Sequence, residues 1–125
     1  MTLEEKDLLL KDLSARLPYD VMLNISVNKY SDKTFKARIS TIDYCGEIKV
    51  RYGFEEYEQV FSIEQIKPYL FPMSSMTDEQ KNIYGNLPYH STEWQLVDWL
   101  NKNHFDYRGL IKKGLALDAT GLNIY

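Results

Sequence analysis

The sequence predicts an α+β fold, with a helix first, antiparallel strands in the middle and helices at the end. Three observations carry this. Apolar residues recur at helical spacing over residues 2–17 and again after residue 77, while from about Val21 to Phe71 they alternate with polar ones. Four Ser/Thr-x-x-Glu/Gln boxes, at Thr2, Ser62, Thr77 and Thr92, mark where helical turns should open. The 125 residues, 44% of them hydrophobic, are enough for one core, so residues 1–125 are expected to form a single domain.

The first helix runs from Thr2 to Leu17. Leu3, Leu10, Leu13 and Leu17, with Leu9 beside them, form its apolar stripe, and Glu4, Lys11 and Asp12 lie off it. Pro18 should end it, because the residue before a proline avoids the α region. Val21, Leu23, Ile25 and Val27 then alternate with polar neighbours as a half-buried strand. After a turn at 28–33, Phe35, Ala37, Ile39 and Thr41 repeat the pattern. Asp43-Tyr44-Cys45-Gly46 reads as a hairpin connection, Ile48, Val50 and Tyr52 as a third strand, and Tyr57 to Phe61 as a short fourth. The Ser62 box leaves room for little more than one helical turn before Pro68, and Ile66 to Phe71 can run extended. Thr77 opens a helix to about Tyr84, ended by Gly85, Asn86 and Pro88. Thr92 opens another, closed by Asn103 or His104, and Leu115 to Leu117 follow as an apolar tail.

Four strands, a helical turn and a fifth strand ending in Ile66-Lys67-Pro68-Tyr69-Leu70 resemble a Tudor-like module, a small five-stranded antiparallel barrel. The resemblance covers residues 21–71 and implies a layout of 1–17 helix, 21–71 small barrel and 77–125 helical segment packed on it. It also implies that a partner docks on aromatics near strand ends, for which Tyr44, Tyr52, Phe54 and Tyr57 are the counterparts.

Charge narrows the function classes. Fifteen Lys plus Arg against eighteen Asp plus Glu give a net charge of −3, whereas a duplex-binding domain normally carries a basic surplus. Locally, Lys29, Lys33, Lys36, Arg38, Lys49 and Arg51 outnumber Asp32, Asp43 and Glu47, and then Glu55, Glu56, Glu58 and Glu64 follow. Two readings stand: complementary solvated strand faces, or a basic patch that selects an anionic ligand. Ten tyrosines suit partly exposed contacts, since each offers a flat ring with a hydroxyl handle at small rotamer cost, but rings that plug a small core with their hydroxyls in water would look the same. No apolar run approaches the roughly 18 residues needed to span a bilayer, and the acidic start Met1-Thr2-Leu3-Glu4-Glu5 is unlike a secretory leader, so a cytoplasmic protein with no membrane partner is expected.

Catalytic and metal signatures are sparse. One cysteine, Cys45, excludes an internal disulfide and a multi-cysteine zinc site, and His90 and His104 are not at helical pair spacing. No glycine-rich phosphate loop or calcium loop is present, and no cofactor is expected. The densest constellation is His104-Phe105-Asp106-Tyr107-Arg108-Gly109. As a site it would offer Arg108 as a bidentate fork, Tyr107 as a stacking plate and His104 as a donor. As structure, His104 would favour the negative end of a helix, Phe105 would enter the core, and Asp106 with Arg108 would brace a turn finished by Gly109.

The opening Met1 to Leu13 with Ala15-Arg16-Leu17-Pro18-Tyr19, then Ile66-Lys67-Pro68-Tyr69-Leu70, Pro72-Met73-Ser74-Ser75-Met76-Thr77, His104 to Ile111 and Gly114-Leu115-Ala116-Leu117, together resemble a widespread group of short proteins of gut Bacteroidota, their phages and mobile elements. The resemblance implies a setting, where small proteins often bind and neutralise a host component, and names no chemistry. The expectation is a non-catalytic binding protein, an accessory or counter-defence factor that holds a host protein or sequesters a nucleotide-type small anion, with a homo-oligomer left open. Its candidate contact residues are Tyr44, Arg51, Tyr52, Phe54, Tyr57, His104, Tyr107 and Arg108. The alternatives are nucleic-acid binding by the basic strands 29–51, and a small hydrolase that uses Cys45 or His104.

Overall fold

In the computed structural model, which describes residues 1–28, 32–43, 45–90 and 92–125 (backbone alone at 87–90), all four expected capping boxes form. Lys29 and Tyr44, both singled out above, lie outside the described residues. Thr2 Oγ1 accepts from the Glu5 amide at 3.1 Å and Glu5 Oε1 from the Thr2 amide at 2.9 Å, which opens α1 (Leu3–Arg16). The chain then turns through Pro18 in a 3-10 turn, Leu17–Tyr19. The buried face of α1 differs from the expected stripe. It is Leu9, Asp12, Leu13 and Arg16, at i, i+3, i+4 and i+7, while Leu3 is 75% exposed. Asp12, expected off the stripe, is fully buried because Arg16 lies one turn on and neutralises it.

The alternating segments become β1 (Met22–Ser26), β2 (Thr34–Ile42), β3 (Ile48–Tyr52), β4 (Tyr57–Phe61) and, after a 3-10 turn at Ile63–Gln65, β5 (Ile66–Pro72). Neighbours pair antiparallel, and β5 returns to pair with β1 from Leu23↔Pro68 to Ile25↔Ile66. Leu23, Ile25, Ala37, Ile39, Ile48 and Val50 point to one core with Leu9 and Leu13 of α1. A bulge between Ile39 and Thr41 shifts the phase of β2, so Thr41 is exposed and Ile42 takes the core side opposite Ile48.

The expected closed barrel does not form: the sheet is open, in the order β4-β3-β2-β1-β5-β6, with β7 also on β5. The reason lies at β5. The edge that closure would need is taken by β6 (Phe105–Asp106) and β7 (Leu117–Asp118), both parallel to it. The Phe71 amide donates to His104 O and the Ala119 amide to Leu70 O, each at 2.8 Å, which ties the same edge further. Residues 77–125 are therefore not helical throughout, since Phe105–Asp106 and Leu117–Asp118 join the sheet.

Between these pieces run α2 (Asp78–His90) and α3 (Glu93–Lys102). Helix α2 continues past Gly85, Asn86 and Pro88, which were expected to end it; a helical glycine costs only about 1 kcal/mol against alanine. Tyr84 lies 6.1 Å from Trp99, which stacks on Phe105 at 5.7 Å in a second apolar cluster with Met76 and Leu100. Among the described residues no helix is long and apolar enough to cross a membrane.

Candidate functional site

The basic strands converge at one end of the sheet. Register places Met22 beside Arg38 and Arg38 beside Arg51, so two guanidinium groups start from directly opposed positions on β2 and β3. Like charges across a strand pair repel. Asp20 resolves the conflict: Arg51 Nη2 is ion-paired to its Oδ1, and Arg38 Nη1 reaches its Oδ2 at 3.2 Å and its carbonyl oxygen at 3.0 Å. Asp20 can sit there because it takes a left-handed turn (φ 57°, ψ 49°) between Tyr19 and the sheet, a conformation that aspartate tolerates better than most residues. Arg51 Nη1 also donates to Ile39 O at 2.7 Å, which fixes its fork.

Around these groups is a cleft of about 250 Å³ lined by Met22, Lys36, Ala37, Arg38, Arg51, Tyr52, Gly53 and Glu56. Tyr52 is held by Phe35, 4.8 Å away between ring centroids, and by its hydroxyl donating to Gln59 Oε1 at 2.9 Å. Lys36 is 5.9 Å from the ring of Tyr69 and makes no ion pair among the described residues. With Asp20 counted, three cations face two carboxylates. The cleft can hold an anion, and its volume, below the roughly 300 Å³ of ordinary ligand pockets, suits a phosphorylated head group with the rest of the molecule outside.

The other candidate aromatics stand at the rim. Tyr57 is 6.2 Å from Tyr52 and donates to Glu55 Oε2 at 2.6 Å, a bond that raises its pKa. Phe54, at the tip of the β3–β4 turn, is fully exposed. Lys49 and Glu58, across β3 and β4, are 3.8 Å apart, the complementary faces that the charge pattern allowed.

The His104–Gly109 segment lies elsewhere and is tied into the fold. His104 follows α3 in a left-handed conformation (φ 61°), its ring stacked on Tyr125 at 3.7 Å and its Nδ1 buried without a hydrogen-bond partner. Burial, followed by the charges of Arg16 and Arg38, lowers its pKa to about 4, so at neutral pH it is no cation for the helix end, contrary to expectation. Phe105 is in the core, as expected. Asp106 does not pair with Arg108: its two oxygens accept from the amides of Leu110 (2.8 Å) and Ile111 (2.9 Å). Arg108 instead reaches Asp12 Oδ1 at 3.2 Å and the Tyr107 hydroxyl at 3.1 Å. Tyr107, within 5.4 Å of the Arg16 guanidinium and 4.9 Å of that of Arg108, donates to Asn101 Oδ1 at 2.9 Å.

The structure thus gathers Arg51, Tyr52 and Tyr57 at one end of the sheet, with Phe54 at its tip, and places Tyr107 and Arg108 against α1. Sequence reasoning missed Asp20 and Arg38 as the partners of Arg51. The pairing of Arg38 with Arg51 follows only from register, and Asp20 is 31 residues from Arg51. Cys45 is exposed, its amide donating to Asp43 Oδ1 at 2.8 Å, and it shares no hydrogen bond with His104. Among the described residues no three His, Cys, Asp or Glu side chains converge as metal ligands. Comparison of the chain with protein-family models, with curated proteins and with solved structures finds no match.

Proposed function

We propose that the protein is a non-catalytic binding module that takes a small phosphorylated, nucleotide-type anion in the cleft between Arg38, Arg51 and Lys36. The observation that carries this reading is the opposed pair of guanidinium groups pre-set by one aspartate, with Lys36 beside them lacking a carboxylate partner among the described residues. Arginine forks match phosphate oxygens in pairs, and a fork already fixed by Asp20 and Ile39 O loses little freedom on binding. Tyr52 and Tyr57 supply rings on which a base or sugar can lie. The strand order with a 3-10 turn before β5 supports a Tudor-like use of aromatics near strand ends. The resemblance of the quoted motifs to phage and mobile-element proteins supports a role as an accessory or counter-defence factor.

Isothermal titration with inorganic phosphate, pyrophosphate and adenosine 5′-monophosphate tests the reading. Lys36→Ala should weaken binding about tenfold while leaving the melting temperature unchanged, since Lys36 is exposed and makes no ion pair among the described residues. Heat from none of the three ligands rejects the cleft as an anion site. The nucleic-acid alternative draws on Lys36, Arg38, Lys49 and Arg51, and it would show as preference for oligonucleotides over mononucleotides, with affinity falling steeply in salt.

A further inference from the structure

We infer that the free edge of β4 is a docking site for an extended, lysine- or arginine-rich segment of a partner protein, which adds to the sheet as one more strand. β4 ends the sheet path and is paired on one side with β3, from Ile48↔Phe61 to Tyr52↔Tyr57. Its first four residues are exposed, Tyr57 at 57% and Val60 at 46% among them, and a fully exposed Phe54 stands just before it. A strand edge of this kind offers amides and carbonyls that template another strand. Of the usual protections, Tyr57–Phe61 has one charge, Glu58, and its shortness, but no proline, no lysine and no break in its register with β3. The sheet's other end is closed differently, by β6 and β7 on β5.

Charge chooses the occupant. Residues 52–66 hold Glu55, Glu56, Glu58 and Glu64 and no lysine or arginine. Lys49 reaches Glu58 at 3.8 Å and Lys6 reaches Glu64 at 2.6 Å, and Glu56 lines the Arg38–Arg51 cleft, which leaves Glu55 at the tip without an ion pair among the described residues. A second copy of this edge would bring the same carboxylates against them, and like charges across a strand pair are unfavourable. A cationic strand meets the opposite situation, and its guanidinium or ammonium groups can also lie over the rings of Phe54 and Tyr57. Alternate side chains of the added strand would fall beside Tyr57 and Gln59 on one face of the sheet and beside Glu58 and Val60 on the other. The site has the opposite charge preference to the Arg38–Arg51 cleft, with which it shares Glu56 and, at the rim, Tyr57, and it differs in using the side of β4 away from β3.

Fluorescence anisotropy with a labelled nine-residue peptide of alternating lysine and threonine tests this at low salt. The peptide should bind, and its glutamate-for-lysine counterpart should not. Glu55→Lys with Glu58→Lys should weaken binding at least about tenfold. Phe54→Ser, at a side chain in open solvent, should weaken it several-fold with the melting temperature unchanged. Methylating every backbone nitrogen of the peptide keeps its charge and removes strand pairing, so affinity should again fall about tenfold or more. Equal binding of the methylated peptide, or indifference to the charge reversal, overturns strand addition at β4. So does a dimer in light scattering that Glu58→Lys alters, because a second copy would then hold the edge.

Discussion

Asp12 and Arg16, one turn apart on α1, form an ion pair at 2.7 Å in which neither side chain has any solvent exposure. Arg16 Nη2 also donates to Phe105 O at 2.6 Å, and Asp12 Oδ1 accepts from Arg16 at 3.1 Å and from Arg108 at 3.2 Å. One carboxylate therefore serves two guanidinium groups, and it joins the first helix to the segment that follows β6. Burying such a pair adds little net stability over an apolar pair of equal volume, but removing one member strands the other.

Asp12→Ala should accordingly cost about 3–5 kcal/mol, because it leaves Arg16 charged, buried and unpaired. Urea denaturation measures it. Asp12→Leu combined with Arg16→Met should recover most of the loss. A cost for Asp12→Ala below about 1 kcal/mol, the range of an exposed pair, would show that water reaches the site.

His104 gives the protein a defined acid weakness. Its folded pKa, about 4, lies below its ordinary value of 6.5, so between those values the unfolded chain binds the proton more strongly. Stability should thus be full above about pH 6.5 and fall as the pH drops toward 4, by about 1–2 kcal/mol once screening at this half-buried ring is allowed for. Carboxylates also titrate in acid, so the measurement is a difference between the wild type and His104→Asn, which tolerates the left-handed backbone and does not titrate. Parallel pH–stability curves for the two proteins would refute it.

Tyr125 closes the polar groups on that same face. Its hydroxyl donates to Tyr69 O at 2.6 Å and accepts from the Met22 amide at 3.0 Å, and burial raises its pKa. Tyr125→Phe keeps the stack on His104 and removes both bonds, so a loss of about 1–3 kcal/mol is expected in thermal or urea unfolding. No loss would mean that water replaces the hydroxyl at both partners.

What was legible in the sequence was local. Capping boxes join residues three apart, and the alternation of Leu23 and Ile25 needs only the pleat, so the positions of α1, α3 and the first five strands could be read directly. What was not legible was pairing between distant segments. Nothing in Phe105–Asp106 or Leu117–Asp118 marks a strand, and they become strands because the β5 edge is there to receive them. The same holds for the site: the basic run was visible, but Asp20 as the counter-charge of Arg38 and Arg51 needed the register of three strands. Asp12 had a local signal, since Asp12–Arg16 repeats the spacing of Leu9–Leu13, yet a purely apolar stripe passes over it.

The cleft makes one demand that separates its electrostatics from its architecture. Asp20 holds Arg38 and Arg51 together, and it also places a negative charge where an incoming phosphate would sit. Asp20→Asn keeps the shape and an acceptor oxygen while removing the charge. The fold should lose only about 1 kcal/mol, because the carboxylate is 45% exposed and its pairs are partly screened. Anion affinity should rise about three- to tenfold, the scale of one unit charge removed a few ångströms away where solvent keeps the effective dielectric close to that of water. Titration of phosphate against both proteins measures it. If affinity fell while the melting temperature held, Asp20 would be setting the arginine geometry rather than competing with the ligand, and the anion would be held by the two arginines in the arrangement that Asp20 imposes.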